Sequence, residues 1–92
     1  MRKIKKLLQL VLEYAECHGF GTRGICWCVV GLSNERVINH EEYLMLVYYI
    51  RDNRPTEGEH FDQDFAGSSY YWHQGASKPR MAWLKDRINL EK

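Results

Sequence analysis

Apolar residues recur along the first third of the chain at helical intervals. Ile4, Leu7, Leu8, Val11, Leu12 and Ala15 fall three or four residues apart, which places them on one face of a helix over residues 2–17. Leu10 and Tyr14 widen that face, and His18-Gly19 with Gly21 supplies a stop, because glycine takes the left-handed conformation that ends helices. Ile25, Cys28, Val29 and Leu32 repeat the pattern and predict a second helix over residues 23–33. The β-branched residues there leave a strand over Ile25–Val30 as the alternative. If residue 27 is helical, Trp27 points well away from the Ile25/Leu32 face and must pack under another segment or stand exposed.

The third helix carries its own start signal. Asn39 is a good N-cap, and Glu42 three residues later completes a reciprocal capping pattern. Tyr43, Leu46, Val47 and Ile50 form its apolar stripe, and Pro55 disfavours helix at Arg54. Residues 54–70 lose all periodicity and hold Glu57, Glu59, Asp62 and Asp64 among glycines and serines. Tyr70-Tyr71-Trp72 then places three aromatics in a row, in a short strand or an ordered loop. A short final helix starts between Ser77 and Pro79 and buries Met81, Leu84 and Ile88. The pattern predicts a single all-α domain over residues 1–92: a compact bundle of three main helices, a short C-terminal helix and a long ordered loop at 54–76.

Length and charge narrow what such a domain does. With 92 residues there is room for one modest core and none for a nucleotide-binding sheet with a separate substrate lobe. The net charge is only +1, which argues against long nucleic acid as a partner, since phosphate neutralisation needs several clustered cations. That balance is uneven along the chain: residues 1–36 carry +3, residues 41–64 carry −5 and residues 78–92 carry +3. The basic group Arg2, Lys3, Lys5 and Lys6 reads as a frayed, solvated start. Three cysteines are too few for a secreted disulfide scaffold and point to a reducing cytoplasm. The apolar run after the basic start is broken by Gln9 and Glu13 and lacks a small-residue cleavage site, so neither export nor a membrane span is expected. Cys17, His18, Cys26 and Cys28 do not read as a metal site, because a Cys-x-Cys pair on a helix points its side chains apart.

The C-terminal cations sit in a pattern of their own. On a helix Arg80, Trp83 and Arg87 share one stripe, away from the centre of the Met81/Leu84/Ile88 face. Lys78 precedes them, and Tyr71, Trp72 and His73 lie just before. Aromatics interleaved with arginine and lysine supply what an unpaired nucleotide needs, a π-face for the base and a cationic fork for the phosphate. The structural alternative is that Trp72 and Trp83 are core and that Arg80 pins the acidic loop. Catalysis has less support. The set Glu57-x-Glu59-His60-x-Asp62 matches neither a calcium loop nor a zinc-protease helix, and no Walker, dinucleotide or serine-nucleophile motif is present.

The segment Tyr71-Trp72-x-x-Gly75-x-x-x-Pro79-Arg80-Met81-x-Trp83-Leu84 resembles the C-terminal pattern of small uncharacterised proteins of tailed bacteriophages, and Asn53-Arg54-Pro55 is similar to the same group. The resemblance implies a phage accessory protein acting in the cytoplasm of the infected bacterial host, of the kind that counters host defence. Joined to the cationic aromatic stripe, it leads to a non-enzymatic counter-defence protein that sequesters a small anionic, cyclic nucleotide signal. In that reading Lys78, Arg80 and Arg87 hold phosphate, Tyr71, Trp72 and Trp83 stack on bases, and His73 donates a hydrogen bond. No cofactor or metal is expected, and a shallow site on so small a chain predicts a homo-oligomer. The alternative is a protein–protein inhibitor of a host defence complex, of anti-CRISPR or anti-restriction type, with the same Trp and Arg residues as interface anchors.

Overall fold

The computed structural model describes residues 2–18, 25–53 and 77–91, with the side chains of 77–80 excepted. The predicted loop at 54–76 lies outside the described residues. The described residues form an all-α bundle of four helices: α1 Ile4–His18, α2 Ile25–Asn34, α3 His40–Asn53 and α4 Ser77–Leu90. The strand alternative for Ile25–Val30 is therefore excluded, and the complete helical spacing of its apolar residues decides the segment. The last helix is not short. It runs 14 residues, as long as α3, because Pro79 sits in the first turn, where its missing N–H costs nothing.

The core is drawn from every helix. Leu7, Leu8, Val11 and Ala15 of α1 meet Ile25, Cys28, Val29 and Leu32 of α2, Leu46 and Ile50 of α3, and Trp83, Leu84 and Ile88 of α4. α1 packs against all three of the others and so forms the centre of the bundle. Tyr14 lies where a Cβ on Gly31 would stand, so the glycine lets α1 and α2 approach closely. Trp27 takes the first of its two predicted options: its ring sits 5.6 Å from Tyr14 and 6.4 Å from His18, and His18 stacks on Tyr14 at 4.0 Å.

Two connections fix the mutual setting of the helices. At the end of α2, the amide of Val37 donates to Leu32 O at 3.0 Å and that of Arg36 to Ser33 O at 3.0 Å. This pair of bonds normally closes a helix on a left-handed glycine. Here the left-handed residue is Arg36, at φ 61°. A side chain in that conformation costs about 1 kcal/mol relative to glycine. Arg36→Gly is therefore expected to raise the melting temperature by roughly 5 °C, which differential scanning calorimetry will read. An unchanged or lower melting point would show that the arginine side chain stabilises its turn by as much as its backbone costs.

The second connection corrects the reading of the N-terminus. Arg2 is no frayed, solvated cation. Its guanidinium donates to both oxygens of Glu42, from Nε and Nη2, each at 2.9 Å, and its backbone amide donates to Oε2 at 3.1 Å. Nη2 also reaches the carbonyl of Val37. Glu42 is the one buried charged residue among those described, 3 % exposed. It completes the predicted cap: the Asn39 amide donates to Glu42 Oε1 at 3.0 Å, and the Glu42 amide donates to Asn39 Oδ1 at 2.8 Å. The helix start thus becomes a tie between the first residues and α3. Hydrogen bonds from Arg2 and from the Asn39 backbone hold the Glu42 carboxyl well below the usual range, at about 2.

Candidate functional site

α4 carries the stripe that the sequence singles out, and its neighbour at that level is the last turn of α3. Trp83 is buried, at 3 % exposure. Its indole Nε1 donates to the carbonyl of Asn53 at 3.1 Å. One turn later, Arg87 donates from Nε to the hydroxyl of Tyr49 at 2.8 Å and from Nη2 to Asn53 Oδ1 at 3.1 Å. The guanidinium carbon lies 5.3 Å from the Tyr49 ring centroid. Asn53 is itself fixed, since its Nδ2 donates to Tyr49 O at 2.9 Å. Burial raises the Tyr49 hydroxyl above its ordinary range, while the bond from Arg87 pulls the other way.

This arrangement divides the predicted site residues. Trp83 and Arg87 are brought together around Asn53. Lys78 and Arg80 lie in the first turn of α4. Tyr71, Trp72 and His73 lie outside the described residues. Trp83 is corrected: it is core, and no base can stack on an indole that the bundle already covers. Its position off the apolar centre of α4 misleads because α4 buries two faces. Leu84 and Ile88 meet the bundle core, while the longer indole reaches sideways to the end of α3. Two partners, Tyr49 and Asn53, escape the sequence reading. A tyrosine four residues before an asparagine in a last helical turn is their only local signal, and Asn53 reads there as part of a helix stop.

The electrostatics of Arg87 are distinctive. Its side chain is only 24 % exposed, yet its two closest acceptors are neutral, a phenol oxygen and an amide oxygen. The carboxylate of Glu91, one turn on, forms a looser ion pair with it at 3.8 Å, beyond hydrogen-bond range. The guanidinium is thus oriented by neutral groups and only loosely paired with a carboxylate. A planar fork fixed in this way suits a phosphate or carboxylate, because little side-chain entropy remains to be lost on binding.

Elsewhere on the described surface, two shallow grooves each enclose about 180 Å³. One lies between α2 and α3 and is walled by Cys26, Val30, Tyr43, Val47 and Ile50. The other lies between α1 and α2, beside Leu10, Tyr14, Cys17, His18 and Val37. Both are smaller than the roughly 300–1,000 Å³ typical of small-molecule pockets. Each has room for a single side chain. The cysteines differ in setting: Cys17 is exposed, Cys26 half-buried and Cys28 buried, where desolvation pushes its thiol up to about 11. Among the described residues, no three His, Cys, Asp or Glu side chains gather to hold a metal ion. No described helix is long and apolar enough to cross a membrane. Compared with known proteins, the chain matches no family model, no curated protein and no solved structure.

Proposed function

We propose that the protein is a phage counter-defence protein that acts by binding rather than by catalysis, capturing a small anionic nucleotide signal in the cytoplasm of the infected bacterium. The observation that carries this reading is Arg87, a half-buried guanidinium held in place by neutral acceptors with its nearest described carboxylate at 3.8 Å. Lys78 and Arg80 precede it on the same helix, in the locally cationic tail. Arg87 supplies the oriented phosphate contact, and Lys78 and Arg80 add charge. Tyr71 and Trp72 supply the base platform, with His73 as a donor. Trp83 serves the site from behind, by anchoring α4 to the end of α3.

Calorimetric titration with a panel of cyclic and linear nucleotides tests this reading. A ligand present at about 100 times its Kd adds about 2.7 kcal/mol of stability, a rise of roughly 10–20 °C in melting temperature for a domain of this size. Arg87→Lys keeps the charge and loses the fork, so affinity falls at least tenfold while the fold persists. Arg80→Ala abolishes binding. The second reading, a protein–protein inhibitor, is favoured by the two grooves sized for side chains. Silence with every nucleotide, together with a host defence protein that copurifies stoichiometrically, would transfer the conclusion to it.

A further inference from the structure

The outward face of α3 carries a pattern that neither the core nor the proposed ligand site uses. At about 100° per residue, His40, Glu41, Leu44, Tyr48, Arg51 and Asp52 fall within a roughly 120° arc. All but Leu44 are exposed, and Leu44 is half-exposed. Tyr48 is 49 % exposed, a large figure for a tyrosine on a helix that otherwise packs well. The Arg51 guanidinium lies 4.9 Å from its ring centroid. The stripe is acidic at its N-terminal end, apolar in the middle and carries Arg51 at its C-terminal end. Next to it opens the α2–α3 groove, with Val30 exposed at 36 % on its rim.

We infer that this face binds a second copy of the chain, with the two α3 helices antiparallel about a two-fold axis level with Leu46. In that register Glu41 stands opposite the partner subunit's Arg51, and Arg51 opposite the partner subunit's Glu41. Leu44 meets the partner subunit's Tyr48, and His40 meets the partner subunit's Asp52. The stripe is complementary to itself in charge and in apolar content, which an isologous contact requires and an arbitrary surface does not show. Parallel packing would set like charges side by side. The ion pair of Arg51 with Asp52 at 2.9 Å takes one of the five N–H donors of the guanidinium and is itself exposed, so it yields readily to a second carboxylate. The adjoining groove has room for one apolar side chain of the partner. Tyr49 and Asn53 point to the other side of α3, so the pairing leaves the Arg87 site open and does not depend on the ligand reading.

Sedimentation equilibrium of the full chain tests the inference, through paired charge reversals. The wild-type protein dimerises. Glu41→Arg alone and Arg51→Glu alone each place like charges together twice per dimer and raise the dissociation constant by at least about tenfold. The double variant E41R/R51E restores dimerisation. A mixture of the two single variants forms a heterodimer, because the cations at positions 41 and 51 of one chain meet the anions at positions 51 and 41 of the other. Circular dichroism on the same samples confirms that the helices persist, and Tyr48→Ala provides an uncharged disruption of the same face. A wild-type chain that stays monomeric at every concentration overturns the inference. So does a dimer indifferent to both single reversals, or a double variant no better than the singles.

Discussion

Trp83→Ala will leave the fold about 4 kcal/mol less stable, the largest loss expected from any residue of the α4 stripe. The indole is 3 % exposed and packs among core residues of a small bundle, so its removal opens a cavity that the helices close only in part. It also strands the Asn53 carbonyl, to which Nε1 donates. Small domains hold only roughly 5–15 kcal/mol in total, so chemical denaturation should show a variant near the edge of folding. Trp83→Phe separates the two contributions. It keeps most of the packing, loses the hydrogen bond and costs about 1–2 kcal/mol. If Trp83→Ala instead unfolds at the wild-type denaturant concentration and loses only ligand affinity, the indole belongs to the binding surface.

Glu42→Ala comes next, with an expected loss of about 3 kcal/mol and a fall in melting temperature of roughly 15 °C. Two structures fail together in that variant: the reciprocal cap with Asn39 and the clasp on Arg2. The cost stays at the low end of the range for buried ion pairs because the side chain of Arg2, 38 % exposed, regains water when its partner is gone. Acid reproduces the same loss in the intact protein. The carboxyl is held at about 2 in the fold and lies in the ordinary carboxylate range when unfolded. Its contribution is therefore complete above the ordinary carboxylate range and is lost as pH falls toward 2. Denaturation curves between pH 6 and 2 should show that decline in the wild type. Glu42→Gln, which cannot titrate, should start lower and show a shallower decline. Parallel slopes would place the acid sensitivity elsewhere.

Local patterns in the chain were sufficient for the helices. Leu7, Leu8, Val11 and Ala15 are buried where their spacing puts them, and the Asn39–Glu42 cap forms with both predicted bonds. Each of these signals is carried within a few residues. The two main misreadings both concern partners far apart in sequence. Arg2 lies among lysines that look solvated, and nothing near it announces Glu42, 40 positions away. Trp83 lies off the apolar centre of its own helix, and only the placement of Asn53, 30 positions earlier, shows that a second face is covered. The site follows the same division. Arg87 stands out as a cation on a stripe, whereas the neutral groups that orient it belong to another helix.

The central place of α1 has a consequence for how the protein is made. Its buried face is completed by Leu84 and Ile88, which leave the ribosome long after Leu7 and Leu8. Until then α1, α2 and α3 expose the apolar surface that α4 covers, and the tie from Arg2 to Glu42 can close only on an unfinished core. Burial of that surface requires α4, so a chain lacking Ser77–Leu90 is expected to expose apolar surface and to associate more readily than the whole.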